Sequence, residues 1–194
     1  MLKTAFLVLF VLAISIGGGG ASVWYMLKAN EGVGAVTIGQ WTALPYLGTA
    51  DADPYSKARV ARDGLLALGS AEGLAFSAKE DADGHALRRE CTYRIEGPVP
   101  SARFWTLYAA DPAGTVLRRG NRRAAAMHSY QLVRGDDNSI SIMAGADPTP
   151  GNWLALSGEG PMSLVLTFFD TPIASNTGAS DVMLPSIVKV SCNA

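Results

Sequence analysis

The sequence predicts a mainly β protein: a jelly-roll-like antiparallel β-sandwich with one short helix, preceded by an N-terminal transmembrane helix. Three observations predict it. From residue 74 onward, at least seven short apolar runs alternate with Asp, Gly, Asn and Pro turn chemistry. One capped helical pattern precedes them. The chain opens on a long stretch without charge. Boundaries follow: a membrane segment over residues 1–28, a linker over 29–45 and a β-sandwich domain over 46–194.

Thr4 to Leu27 is 24 residues without a charged side chain. As a helix it reaches ~36 Å at ~1.5 Å per residue, enough for a hydrocarbon layer of ~30 Å. Trp24 and Tyr25 sit near its end, where aromatic side chains favour the membrane–water boundary. Lys3 and the terminal amine favour an N-terminus inside and a domain outside. This predicts a single-pass protein of the bacterial inner membrane with its domain in the periplasm. A cleaved signal peptide is the alternative, which would secrete the domain to the periplasm. Ala5–Ile16 has the length of a signal's apolar part, and Gly19-Gly20-Ala21 offers small residues for a peptidase. Against cleavage, Ser22–Leu27 continues apolar. Both readings export the domain.

Ala29–Gly39 is small and Gly-rich, as a linker would be. Asp53 caps a helix that Pro54 opens, expected over Pro54–Arg62 with Gly64 as its stop. Tyr55, Ala58, Ala61 and Leu65 recur at helical spacing and suggest its apolar face. Leu74–Lys79 and Leu87–Ile95 flank Asp81-Ala82-Asp83-Gly84, a hairpin by composition. Cys91, Tyr93 and Ile95 share one face of the second strand and should point inward. Arg103–Tyr108 is an aromatic strand. Ser129–Val133 and Ser139–Met143 flank another turn, Gly135–Asn138. Met162–Phe169 is mostly apolar and expected to be central, buried on both faces. In the last strand, Ile187–Cys192, the side chains of Val188, Val190 and Cys192 share a face.

The two cysteines, Cys91 and Cys192, both fall on strands of a domain expected in an oxidising compartment, so a disulfide between them is predicted. Two separate buried thiols are the alternative. Without Lys3 and Lys28, 14 basic face 17 acidic side chains, about −3, which argues against nucleic acid as a partner.

Asp53-Pro54-Tyr55 with Ala58 and Ala61, Asp81–Leu87 leading to Cys91-Thr92-Tyr93, Phe104–Tyr108, and Gly151-Asn152-Trp153-Leu154 stand in one order and spacing. Together they resemble the bacterial domain of unknown function numbered 1214, over roughly residues 50–190. The resemblance implies a jelly-roll-like sandwich and no reaction. Larger relatives carry a companion domain upstream, where this chain has its membrane segment. Ala155 stands where some relatives have a proline nearby.

Candidate ligand-binding residues are Arg103, Trp105, Tyr108, Asn152 and Trp153: aromatic rings beside guanidinium and amide donors suit a sugar or a small anion. Arg103, Trp105 and Leu107 would share one face; Phe104, Thr106 and Tyr108 the other. Core packing by Phe104 and Trp153, with Asn152 tying a turn, is the competing reading. Arg118, Arg119, Arg122 and Arg123 are a candidate anion site for lipid phosphate or an acidic glycan, against a solvated bend. His85 and His128 lie beside no nucleophile pattern. Asp81-x-Asp83-Gly84 lacks the later ligands of a calcium loop, so it reads as a turn; no metal site, cofactor or catalytic residue is predicted.

The function expected is therefore a non-enzymatic, membrane-anchored envelope module that binds a glycan, a small ligand or a partner protein. The alternative is an enzyme acting on envelope carbohydrate or lipid, which needs a concave pocket with converging acid, base or nucleophile groups.

Overall fold

The computed structural model describes residues 2–29, 34–64, 68–69, 71–119, 123–174 and 182–192. Helix α1 (Leu2–Ala29) is long and apolar enough to cross a membrane, and its side chains are exposed from Leu2 to Tyr25, with Met26 and Leu27 half-buried. A signal sequence meets the same length and composition test.

The domain is mainly β, as predicted. Strands β1 (Val36–Ile38), β2 (Trp41–Ala43), β3 (Gly73–Ala78), β5 (Phe104–Ala110), β8 (Ala126–His128) and β11 (Ser163–Phe169) form one sheet, in the order β1-β2-β3-β11-β5-β8. Strands β4 (Cys91–Gly97), β9 (Ile140–Gly145), β10 (Asn152–Ala155) and β12 (Ser186–Cys192) form a second, in the order β10-β9-β4-β12. β6 (Arg118–Arg119) and β7 (Arg123–Ala124) make a two-stranded ribbon.

Alternation builds one core between the two sheets. Phe76 of β3, Trp105 and Leu107 of β5, and Leu164, Leu166 and Phe168 of β11 are buried from the larger sheet. Tyr93, Ile95, Ile142, Leu154 and Ile187 meet them from the smaller. The Phe76 and Phe168 rings pack edge to face at 5.9 Å, a favoured aromatic geometry. The Trp41 indole N–H donates to the Pro185 carbonyl at 2.7 Å, tying the first strands to the segment before β12.

Several expectations are corrected by long-range pairing. Part of the stretch 29–45 predicted as linker is sheet: β1 pairs β2, and Trp41 is 1% exposed. The runs around Asp81–Gly84 do not form a hairpin. A short bridge, Glu80 to Ala86, closes the turn, and the chain then crosses from β3 in one sheet to β4 in the other. Likewise Ser129–Gln131 is a 3-10 turn after β8, and β9 pairs β4 and β10 instead. β10 lies parallel to β9, so the smaller sheet is mixed. Val188 and Val190 face solvent, and a bulge between Lys189 and Ser191 lets Cys192 meet Cys91 from an exposed edge.

Helix α2 (Pro54–Asp63) forms as its signals predict. The Asp53 carboxylate accepts the Tyr55 and Ser56 N–H groups at 2.9 and 3.1 Å, and Gly64 ends the helix in the left-handed region. Its inward side differs from the expected one. Tyr55, Ala58 and Ala61 are exposed and Leu65 lies outside the described residues, while Ser56 is buried and Val60 half-buried one turn on. Ala52, just before the cap, is buried as well.

Candidate functional site

β5 presents two faces with different fates. Trp105, Leu107 and Ala109 point into the core, and Phe104, Thr106 and Tyr108 remain half-buried on the outer side. The pairing then delivers neighbours to Phe104. Phe169 of β11 stands directly opposite, and His128 of β8 stands opposite Thr106. The Phe104 ring centroid lies 5.6 Å from His128, 5.6 Å from Tyr130 and 5.8 Å from Phe169, all tilted. His128 and Tyr130 meet edge to face at 6.3 Å. Four aromatic rings from three strands and a turn thus share one patch on the outside of the larger sheet.

The rim of this patch is polar. The Tyr130 hydroxyl donates to the Arg103 carbonyl at 3.1 Å, which fixes a ring that is 75% exposed. The Arg103 guanidinium lies 3.6 Å from the Asp170 carboxylate, and both side chains are largely exposed. Such a pair is screened by water and contributes little to stability, so its groups stay open to other hydrogen-bond partners. His128 Nδ1 is buried and makes no hydrogen bond. Aromatic faces beside an exposed donor and acceptor can stack a sugar ring and bind its hydroxyls.

The five ligand residues expected from the sequence do not converge. Trp105 is 2% exposed and belongs to the core. Arg103 precedes β5 on the outside and does not share a face with it. Tyr108 is on the patch side but four residues along the strand, ~13 Å from Phe104 at ~3.3 Å per residue. Burial pushes its hydroxyl pKa up. Asn152 ties the loop at Val133 to β9. Its Oδ1 accepts the Val133 N–H at 2.8 Å, and its Nδ2 donates to the Val133 and Ser141 carbonyls at 2.7 and 3.0 Å. Trp153, on the other sheet, is half-buried and donates from Nε1 to the Gly145 carbonyl at 3.1 Å.

In the arginine cluster, β6 and β7 pair Arg119 with Arg123 in register, and Arg118 is exposed. The Arg118 carbonyl accepts the Ser157 hydroxyl at 2.8 Å. Arg122 lies outside the described residues.

Phe169, His128 and Tyr130 were missed because their company depends on register between distant strands. The legible signal was an aromatic residue out of phase with its strand's buried side: Phe104 beside Trp105 and Phe169 beside Phe168.

A second group of polar side chains sits in the turn after β3. Asp81, Asp83 and His85 bring one possible ligand atom each within 4.8 Å of one another. Burial pushes the Asp81 carboxyl up, but the N–H groups of His85 and Asp83, with the charges of His85 and Lys189, outweigh it and hold the pKa below its ordinary value.

No curated protein matches the chain. Among solved structures, the VPA0106 protein from Vibrio parahaemolyticus is similar with a TM-score of 0.57 and 18% identity, over 73% of this chain and 36% of that one. An uncharacterized protein from Burkholderia cenocepacia aligns with a TM-score of 0.43 and 20% identity, over 77% of this chain and 47% of that one. The chain thus spans less than half the length of either. The first likeness supports the fold alone. The model of the family described as "Protein of unknown function (DUF1214)" matches residues 72–173, more than half of the chain. That match runs from the start of β3 past the end of β11 and carries the central strands of both sheets, and on it this chain belongs to the DUF1214 family.

Proposed function

We propose that this chain is a non-enzymatic binding module held at the bacterial inner membrane by α1, with its domain in the periplasm, and that it binds envelope glycan through the aromatic patch around Phe104. The patch carries the reading: three rings surround Phe104 within 5.8 Å, and the exposed Arg103 and Asp170 side chains stand at its edge. Sugar rings have apolar C–H faces and hydroxyl rims, so they match clustered aromatic rings bordered by charged groups. The patch lies on a sheet face and is open, as suits a polymer.

The length of α1 and the charge at its start support the anchor, with Lys3 on the cytoplasmic side. The Cys91–Cys192 disulfide supports export, since such bonds persist in oxidising compartments.

The test uses the full chain in detergent micelles with soluble peptidoglycan fragments and with lipopolysaccharide core oligosaccharide. Saturable binding of either, weakened about tenfold or more by Phe104→Ala and by Tyr130→Ala, is expected. No binding of either class, or binding indifferent to both substitutions, overturns the reading. Release of the protein from membranes by alkaline wash would refute the anchor separately.

A further inference from the structure

We propose that the turn after β3 is a binding site for a divalent transition-metal ion of the zinc class, held by Asp81, Asp83 and His85. This reverses the sequence reading of that turn and does not depend on the aromatic patch.

The first support is convergence. Two carboxylates and an imidazole place their possible ligand atoms within 4.8 Å of one another. Ligands bound at ~2.0–2.2 Å in a tetrahedral array lie roughly 3.3–3.6 Å apart, so the present spread is one short adjustment from coordination. Asp83 and His85 are exposed and free to make it, and His85 Nδ1 already stands 3.5 Å from Asp81 Oδ1.

The second support is a buried carboxylate oxygen without a partner. The Asp81 side chain is 1% exposed. Its Oδ1 accepts the Asp83 and His85 N–H groups at 3.0 and 2.9 Å, while its Oδ2 is buried and has no hydrogen-bond partner. A buried carboxylate oxygen without a partner is costly, and a cation bound to that carboxylate removes the cost. An ordinary turn would need only the Oδ1 contacts.

The third is rigidity. The Asp81 N–H donates to the His85 carbonyl at 2.9 Å, and the Ala82 N–H donates to the Ile187 carbonyl of β12 at 2.8 Å. The turn is thereby closed on itself and tied to the smaller sheet, which lowers the ordering cost of binding. Mixed nitrogen and oxygen donors, three in number, suit zinc-like ions with open positions and not calcium, which takes six to eight oxygens.

The test is titration of the full-length, untagged protein in detergent with Zn²⁺, and separately with Ca²⁺ and Mg²⁺, by calorimetry. Co²⁺ substitution gives a ligand-field absorption as a second readout. One Zn²⁺ per chain is expected, with Asp83→Asn and His85→Ala each weakening it at least about tenfold and abolishing the cobalt spectrum. Both positions are exposed, so the variants should fold, and circular dichroism checks that they do. Absence of Zn²⁺ binding overturns the proposal, as does binding that persists undiminished in the double variant. Preference for Ca²⁺ or Mg²⁺ overturns the assigned metal class.

Discussion

Cys91 and Cys192 face each other across β4 and β12 with Cα atoms 4.0 Å apart and are joined as a disulfide, though 101 positions separate them in the chain. The bond ties the edge strand of the smaller sheet to its neighbour. By the chain-entropy model, a loop of that length restricts the unfolded chain by about 4–5 kcal/mol. The double substitution Cys91→Ser with Cys192→Ser should lower the unfolding free energy of the full chain by roughly that amount. Denaturant titration with and without reductant measures it, and a shift below about 1 kcal/mol would contradict the account.

Trp105 and Phe104 are adjacent and should behave as opposites. Trp105→Ala empties a core position and should cost about 3–5 kcal/mol of stability. Phe104→Ala removes a half-buried ring and should cost roughly half as much or less. If glycan binds at the patch, the loss of affinity follows Phe104 in a variant that remains folded. Equal destabilisation of both variants would place Phe104 in the core.

Asn152 holds Val133 and Ser141 through three hydrogen bonds. Asn152→Ala should cost about 1–3 kcal/mol, because backbone groups of Val133 and Ser141 lose their partner. Asn152→Asp keeps the acceptor for the Val133 N–H but turns the donor into a second acceptor facing two carbonyls. It should be no better than alanine. An aspartate variant as stable as the native chain would show that water replaces those bonds without cost.

The Tyr93 hydroxyl is in the core and accepts the Arg88 N–H at 2.8 Å. Burial is the main cause that pushes its pKa above the ordinary tyrosine value, with Asp81 and Glu90 adding to it. The neutral phenol is the form the folded state keeps. Its contribution is complete below the unfolded value of ~10 and is lost as pH rises from there through the raised folded value. Stability should therefore fall above about pH 10, and Tyr93→Phe should flatten part of that fall. Unfolding midpoints measured from pH 8 to 11 test this; identical slopes in both proteins would refute it.

The features legible in the sequence were those set by neighbours along the chain. The uncharged run of α1 is a matter of composition, and the Asp53–Pro54 start and Gly64 stop of α2 need only local backbone chemistry. The alternation that sends Tyr93 and Ile95 inward is likewise a two-residue period.

Partnership was not legible, because sheet hydrogen bonds join residues far apart and carry no local signature. The segments on either side of Asp81–Gly84 look like the two arms of a hairpin, yet they belong to different sheets. Trp105 reads equally well as a binding ring or a core ring, and only its position between the two sheets makes it core. The Phe104 patch exists because register sets Phe169 opposite Phe104 and His128 opposite Thr106. A shift of either pairing by one residue would turn those rings to the other face.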